Sequence, residues 1–343
     1  MKDVRGKKIF VGLSGGVDSS VTATLLQQAG ADVYGVFIKG WYPAGMPCTW
    51  SEDRRDAMRV AAHLGIPFHT LDASFAYKKY VIDYLVNEYG AGRTPNPDIM
   101  CNREVKFGVF YEFAKKHNAD YLATGHYVQY QKSILSRAVD EEKDQSYFLW
   151  AVSPASLAMT LFPLGTYTKK KVRELAKAYA LPTAEKNDSQ GICFLGEISM
   201  DDFLRAELEV VSGRAVTFEG KKVGSHEGAV LYTIGERVGL KNAEPGPWFV
   251  HAKDMRSNTI TVSKLAVKAQ KRTSISLGQC NFFTKPLSTQ ILTAQYRYHG
   301  PRIPGTFADG VFYPSVDLPE SIAQGQSLVL YNGNDVVGGG IIV

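Results

Sequence analysis

The stretch Lys8-Ile9-Phe10-Val11-Gly12-Leu13-Ser14-Gly15-Gly16-Val17-Asp18-Ser19, continuing through Ser20 to Leu26, decides the fold. An apolar run, Ile9 to Leu13, reads as a buried strand. It gives way to a glycine turn and then to a helix over Val17 to Ala29. Free amides and the positive dipole end of a helix N-terminus suit an anion, and glycines let the backbone approach it closely. A Walker A loop would require Gly-Lys-Ser/Thr, and no lysine follows Gly16. The loop is therefore built for a phosphate group, but not in the manner of the P-loop enzymes.

Outward from this loop the same alternation repeats. Strands are expected over Ala31 to Ile38, Pro67 to Leu71 and Asp120 to Thr124, with helices over Ser51 to Leu64, Phe75 to Tyr89 and Lys106 to His117. Strand-helix repetition of this kind predicts an α/β fold with a doubly wound parallel sheet. The segment between Tyr130 and Tyr147 is polar and charged and reads as a mobile loop. A further helix in Thr168 to Ala180 carries Val172, Leu175, Ala176 and Tyr179 on one apolar face. Lys169, Lys170 and Lys171 at its start are either a solvated helix end or an RNA-phosphate contact.

Beyond about Leu208 the texture changes to short β-rich runs separated by Gly, Pro, Asn and Asp turns. The expected division is a catalytic domain over 1–208, a central β domain over 209–275 and a C-terminal β-barrel over 276–343. Charged residues make up 21% and hydrophobic residues 45%, which excludes a disordered chain and allows a sizeable core. A net charge of +5 is compatible with a polyanionic partner without requiring one. The polar start does not resemble a secretory leader and no apolar run reaches about 18 residues, so a cytoplasmic protein without a membrane span is expected.

Four cysteines, Cys48, Cys101, Cys193 and Cys280, are too few for a disulfide framework and lack the short spacing of a metal site, so no metal ligand set is expected. Cys101 lies in Thr94-Pro95-Asn96-Pro97-Asp98-Ile99-Met100-Cys101-Asn102, where prolines break any preceding helix and another begins soon after. The dipole there favours a thiolate. Cys193 lies in Asp188-Ser189-Gln190-Gly191-Ile192-Cys193-Phe194, a polar glycine-bearing loop unsuited to a packing cysteine.

Ser14 to Ser19 after a strand resembles the loop of the ATP-pyrophosphatase superfamily. With Ala123-Thr124-Gly125-His126-Tyr127, Lys143-Asp144-Gln145-Ser146-Tyr147-Phe148-Leu149 and the two cysteine segments, in this order, the chain resembles the tRNA-specific 2-thiouridylase family. The resemblance implies a fold like the adenine nucleotide α-hydrolases. It implies ATP, with magnesium, bound by Gly12, Leu13, Ser14, Gly15, Gly16, Val17, Asp18, Ser19, Ile38 and Gly125. AMP would be placed on the oxygen at carbon 2 of the wobble uridine, position 34, with pyrophosphate released. Cys193 would carry a persulfide and Cys101 act as nucleophile, the pair closing into a transient disulfide. Asp98 would serve acid-base chemistry, and Asn96, Pro97 and Asp98 would face the base.

Lys143, Asp144 and Gln145, with Tyr296 and Arg297 in the β region, would contact tRNA. The family's arginine-tyrosine-arginine pattern is only partly matched by Tyr296-Arg297-Tyr298. The family often has methionine where Ile38 stands. Cys48 and Cys280 match no motif and read as structural, and His126 reads as a packed or capping residue. The implied partners are tRNA and a sulfur-donor protein, and the enzyme is expected to be a monomer. An adenylating ligase of the argininosuccinate-synthetase kind would need no paired cysteines. A tRNA-binding switch would release no pyrophosphate. A 4-thiouridine synthetase usually carries a further RNA-binding domain ahead of the loop.

Overall fold

The computed structural model describes residues 2–42, 50–187, 199–265, 273–318 and 322–343. The chain forms two compact units, Met1–Val81 with Pro97–Glu197 and Asn334–Val336, and Ile82–Asn96 with Ile198–Gly333 and Val337–Val343.

In the first unit β1 (Lys8–Gly12) is followed by α1 (Val17–Gln28), β2 (Asp32–Lys39), α2 (Trp50–Leu64) and β3 (Phe68–Asp72). Later come β4 (Tyr121–Ala123), β5 (Val128–Gln131), β6 (Ile134–Arg137) and β7 (Thr160–Leu161). The parallel sheet runs β3-β2-β1-β4-β7. Successive β1 side chains go to opposite faces. Ile9 and Val11 join Leu26, Val33, Val60 and Ala61, a core shared with α1 and α2. Phe10 points the other way into the rings of Tyr34, His69, Phe113 and His117.

Helix α1 is buried along most of its length although it carries Ser19, Ser20, Thr22 and Thr24. Its sheet side packs into the core just described. Val17 and Val21 meet Val172, Ala176 and Leu181 on another side. Hydroxyls turned back onto the helix make this tolerable: Ser20 Oγ donates to Gly16 O at 2.7 Å and Thr24 Oγ1 to Ser20 O at 2.9 Å.

The polar segment between Tyr130 and Tyr147, expected to be a mobile loop, is ordered structure. β5 and β6 form an antiparallel hairpin from Val128↔Arg137 to Gln131↔Ile134, and Lys132 and Ser133 at its tip have φ of 50° and 61°. Positive φ at both central residues makes a turn whose twist matches the strands. Arg137 and Asp144 are buried together at 3.8 Å. Asp144 accepts from Ala138 N at 3.0 Å and Ser146 Oγ at 2.8 Å. Charge is a signal of exposure only where it has no internal partner.

The helix expected to begin at Lys106 starts earlier, at Pro97–Met100, and continues through Cys101–Val109 as a wider π-type turn into Phe110–Lys116. Pro97 opens this helix, because a first-turn residue needs no amide donor.

In the second unit an open sheet runs β10-β11-β12-β8-β9. Its strands are β8 (Gly213–Val216), β9 (Lys222–His226), β10 (Arg237–Val238), β11 (Trp248–Asp254) and β12 (Thr259–Ser263). Trp248, Val250, Ile260 and Val262 fill its core. β13 (Ile275–Phe282), β14 (Leu292–Gln295), β15 (Ile303–Ala308), β16 (Val311–Pro314), β17 (Ser327–Asn332) and β18 (Asp335–Ile342) make a closed barrel, order β13-β16-β15-β14-β17-β18, sealed by β13 against β18.

Candidate active site

Strand β1 is central. The chain leaves it toward β2 on one side, while β4 lies on the other, so the loops after β1 and β4 part above their carboxyl ends, where open α/β sheets bind ligands. A cavity of about 330 Å³ opens there. Gly12, Leu13, Ser14, Asp18 and Ser19 of the glycine loop line it, with Ile38 from β2, Gly125 after β4, and Cys101.

The loop is shaped by close approach. Gly15 has φ +78°, and a Cβ there would stand 2.4 Å from the Asp53 carbonyl oxygen. A Cβ on Gly125 would stand 2.9 Å from Ser19 N, so the loop after β4 lies directly against the start of α1. Gly16 is the N-cap of α1 and no side chain caps that end, which leaves first-turn amides for an external acceptor. Ser14 and Ser19 stiffen the loop through an Oγ–Oγ contact of 3.2 Å, and Ser14 N donates to Ser19 Oγ at 3.2 Å. Gly15→Ala is expected to shift this loop by enough to lower kcat/KM for ATP on the order of 100-fold. Tracking tRNA-dependent pyrophosphate release on folded protein checks it.

Two lysines invisible in the loop's own sequence flank it. Lys169 Nζ lies 2.7 and 2.8 Å from the two Asp18 carboxylate oxygens, and Tyr127 donates its hydroxyl to Asp18 Oδ1 at 2.7 Å. The Lys169 side chain is 13% exposed and that of Asp18 33%, so the lysine sits behind a carboxylate that faces the cavity. Lys186 pairs with Asp53 at 2.9 Å and Asp56 at 2.8 Å. Partial burial lowers its pKa, but the bonds to Asp53 and Asp56 outweigh it and hold the ammonium above the ordinary lysine range. Lys169, left between a solvated end and an RNA contact by the sequence, thus belongs to the loop. Lys186 and Tyr127 were missed as site residues. The absence of a lysine after Gly16 was the one signal that a cation had to come from elsewhere.

His126 is buried, its Nδ1 2.8 Å from Thr124 Oγ1 and its ring 5.4 Å from that of Phe107. Burial first, and Lys106 second, push its pKa well below the ordinary histidine value of about 6.5. A depressed folded pKa means that the neutral ring's contribution is complete above about 6.5 and is lost as pH falls below it. His126→Gln is therefore expected to flatten the acid side of the stability curve below that pH, read by thermal melts.

Cys101 carries a buried thiol. Its neighbour Asn102 is buried too and donates Nδ2 to Phe148 O at 3.3 Å. Pro97 and Asp98 sit in the first turn of the same helix, Asp98 half-buried, while Asn96 belongs to the second unit. Gln145 lines the cavity and accepts from Tyr127 N at 3.0 Å. Lys143 is partly exposed, but Asp144, expected at a tRNA surface, is enclosed by the bonds given above. Tyr296, also expected there, is 3% exposed within the barrel core, and Arg297 beside it is exposed. Cys193 and Cys48 lie outside the described residues. Cys280 lies exposed on β13 with its sulfur 3.8 Å from Leu277 O, and partial burial pushes its thiol pKa up.

Three family models match consecutive stretches: a tRNA methyl transferase HUP domain over residues 7–197, a tRNA methyl transferase PRC-barrel domain over 201–264 and an aminomethyltransferase β-barrel domain over 272–342. Curated relatives match end to end. One from Streptococcus mutans is 40% identical, covering 100% of this chain and 96% of the relative. One from Lacticaseibacillus paracasei is 41% identical, covering 98% and 94%. Both are named tRNA-specific 2-thiouridylase MnmA. Among solved structures, a 4-thiouridine synthetase–RNA complex with bound ATP gives a partial likeness, 18% identical, TM-score 0.38, over 59% of this chain and 50% of that one. The methyltransferase wording of the domain models attaches to pieces, whereas the thiouridylase relatives are matched over nearly their whole length; the chain belongs to the tRNA-specific 2-thiouridylase MnmA family.

Proposed function

We propose that this protein is an ATP-dependent tRNA-uridine 2-sulfurtransferase acting on the wobble uridine, position 34. The observation that carries this reading is one cavity lined by both an uncapped, glycine-shaped helix start and a cysteine thiol.

The carbonyl at carbon 2 of uridine is a poor electrophile and its oxygen a poor leaving group. In the first step that oxygen attacks the α-phosphorus of ATP and pyrophosphate departs, the loop amides of residues 14–19 holding the phosphates. Carbon 2 now carries AMP. In the second step the terminal sulfur of a Cys193 persulfide attacks carbon 2 and AMP leaves with the former uridine oxygen. The Cys101 thiolate then attacks the Cys193 sulfur, closing a disulfide and leaving the transferred sulfur on the base. An external thiol reductant reopens the pair, and a sulfur-donor protein reloads Cys193. Asp98, one turn before Cys101, is the proposed proton acceptor on the ring, and Asn96, Pro97, Lys143, Gln145 and Arg297 are the proposed tRNA contacts. Magnesium would enter as the counter-ion of ATP and would supply charge neutralisation for its phosphates; the cavity carboxylates Asp18 and Asp53 are already paired with Lys169 and Lys186.

The test supplies unmodified tRNA, ATP, magnesium and a persulfide donor. The expected result is one pyrophosphate and one AMP released per 2-thiouridine formed. Pyrophosphate release without thiolation would favour a ligase of another kind, and thiolation without ATP would overturn the reading.

A further inference from the structure

Phe75, 78% exposed, is the most exposed large apolar side chain among the described residues. It lies in the short helix Ser74–Tyr77, which leads into Lys78–Ile82. Lys79, one turn on, has its Nζ 6.0 Å from the centre of the Phe75 ring and 5.1 Å from that of Tyr80, which is 42% exposed. Lys78 repeats the arrangement, its Nζ 5.3 Å from the Trp41 ring. Aromatic faces and ammonium groups thus alternate over one turn and the segment beside it.

The other side of this turn is fixed to the active site. Tyr77 is buried, lines the cavity, and stands 3.3 Å from where a Gly40 Cβ would be. Gly40 lines the cavity as well and is followed by Trp41. Both supports of the outer patch are therefore walls of the cavity, and whatever binds the patch is held at a set distance from Cys101.

The composition separates two kinds of partner. Protein interfaces are depleted in lysine at their centres and favour continuous apolar contact. Here each ring has a lysine against it, which breaks the apolar surface and places positive charge where a phosphate would lie. Unpaired RNA asks for this pairing: π-faces for its bases, cations for its backbone. We propose that Phe75, Lys78, Lys79 and Tyr80, with Trp41, form a stacking and phosphate-binding platform for the single-stranded part of the tRNA next to the reacting uridine. This rests on the tRNA reading above and names the surface that reading lacks.

The double variant Phe75→Ala/Lys79→Ala is made in the full chain. Its exposure keeps the fold intact, which an unchanged melting temperature verifies. Direct titration with unmodified tRNA, which needs no turnover, should show Kd raised on the order of tenfold or more. The slope of log K against log salt should fall by about 0.7 for the lost phosphate contact. KM for ATP should not change. Unchanged tRNA affinity and salt slope would overturn the proposal, as would an effect confined to the sulfur donor's concentration dependence, which would make the patch a protein-docking surface. A wild type that binds tRNA through this patch but never thiolates it would sink the functional reading while leaving the platform standing.

Discussion

Replacing Cys193 by Ser is expected to stop sulfur incorporation, by on the order of 10³-fold or more, because a hydroxyl cannot carry a persulfide. Adenylation does not use this sulfur, so tRNA-dependent pyrophosphate release should continue. Cys101→Ser is expected to halt one step later. Without the second thiolate the sulfur on carbon 2 remains joined to Cys193, and enzyme and tRNA should stay covalently linked until dithiothreitol cleaves them. Gel mobility of labelled tRNA with and without reductant reads the difference. Sulfur incorporation that survives both substitutions would remove the cysteines from the mechanism.

Lys169→Met should lower kcat/KM for ATP on the order of 100-fold, with tRNA affinity unchanged. The lysine touches both oxygens of Asp18, and that carboxylate lines the anion cavity. Without it, an uncompensated negative charge faces the nucleotide phosphates, a repulsion that acts strongly in a partly buried site. Lys169→Arg keeps the charge and should recover much of the loss. Tyr127→Phe removes one hydrogen bond to Asp18 and no charge, so its effect should be smaller. Initial rates of pyrophosphate release at varied ATP check all three. Equal loss in the Met and Arg variants would mean that shape, not charge, is what Lys169 provides.

The frame of the first unit was legible because buried parallel strands read as apolar runs and the glycine loop has few structural uses. Ile9, Val11 and Phe10 alternate across the sheet as a period of two requires. Contacts that depend on distant partners were not legible. Lys169 meets Asp18 across 151 residues of sequence, and a lysine run at a helix start gives no hint of which member turns inward. Arg137 and Asp144 looked like solvent-facing charge because each hides only by virtue of the other. Tyr296 was expected at tRNA through a partly matched family motif, but it falls just past β14 and is 3% exposed in the barrel core, while Arg297 beside it is exposed. The prolines were read as ending any preceding helix with another soon after; the preceding helix does end at Gly90, and the next begins at Pro97 itself rather than at Lys106.

The central claim is that the uridine oxygen itself becomes part of the AMP that leaves. Transcribed tRNA whose wobble uridine carries ¹⁸O at carbon 2, turned over once with unlabelled ATP and a persulfide-loaded enzyme, tests this by mass spectrometry of the products. The label is predicted in AMP, one atom for each 2-thiouridine formed. Unlabelled AMP, with the ¹⁸O found in water or retained in the base, would contradict it.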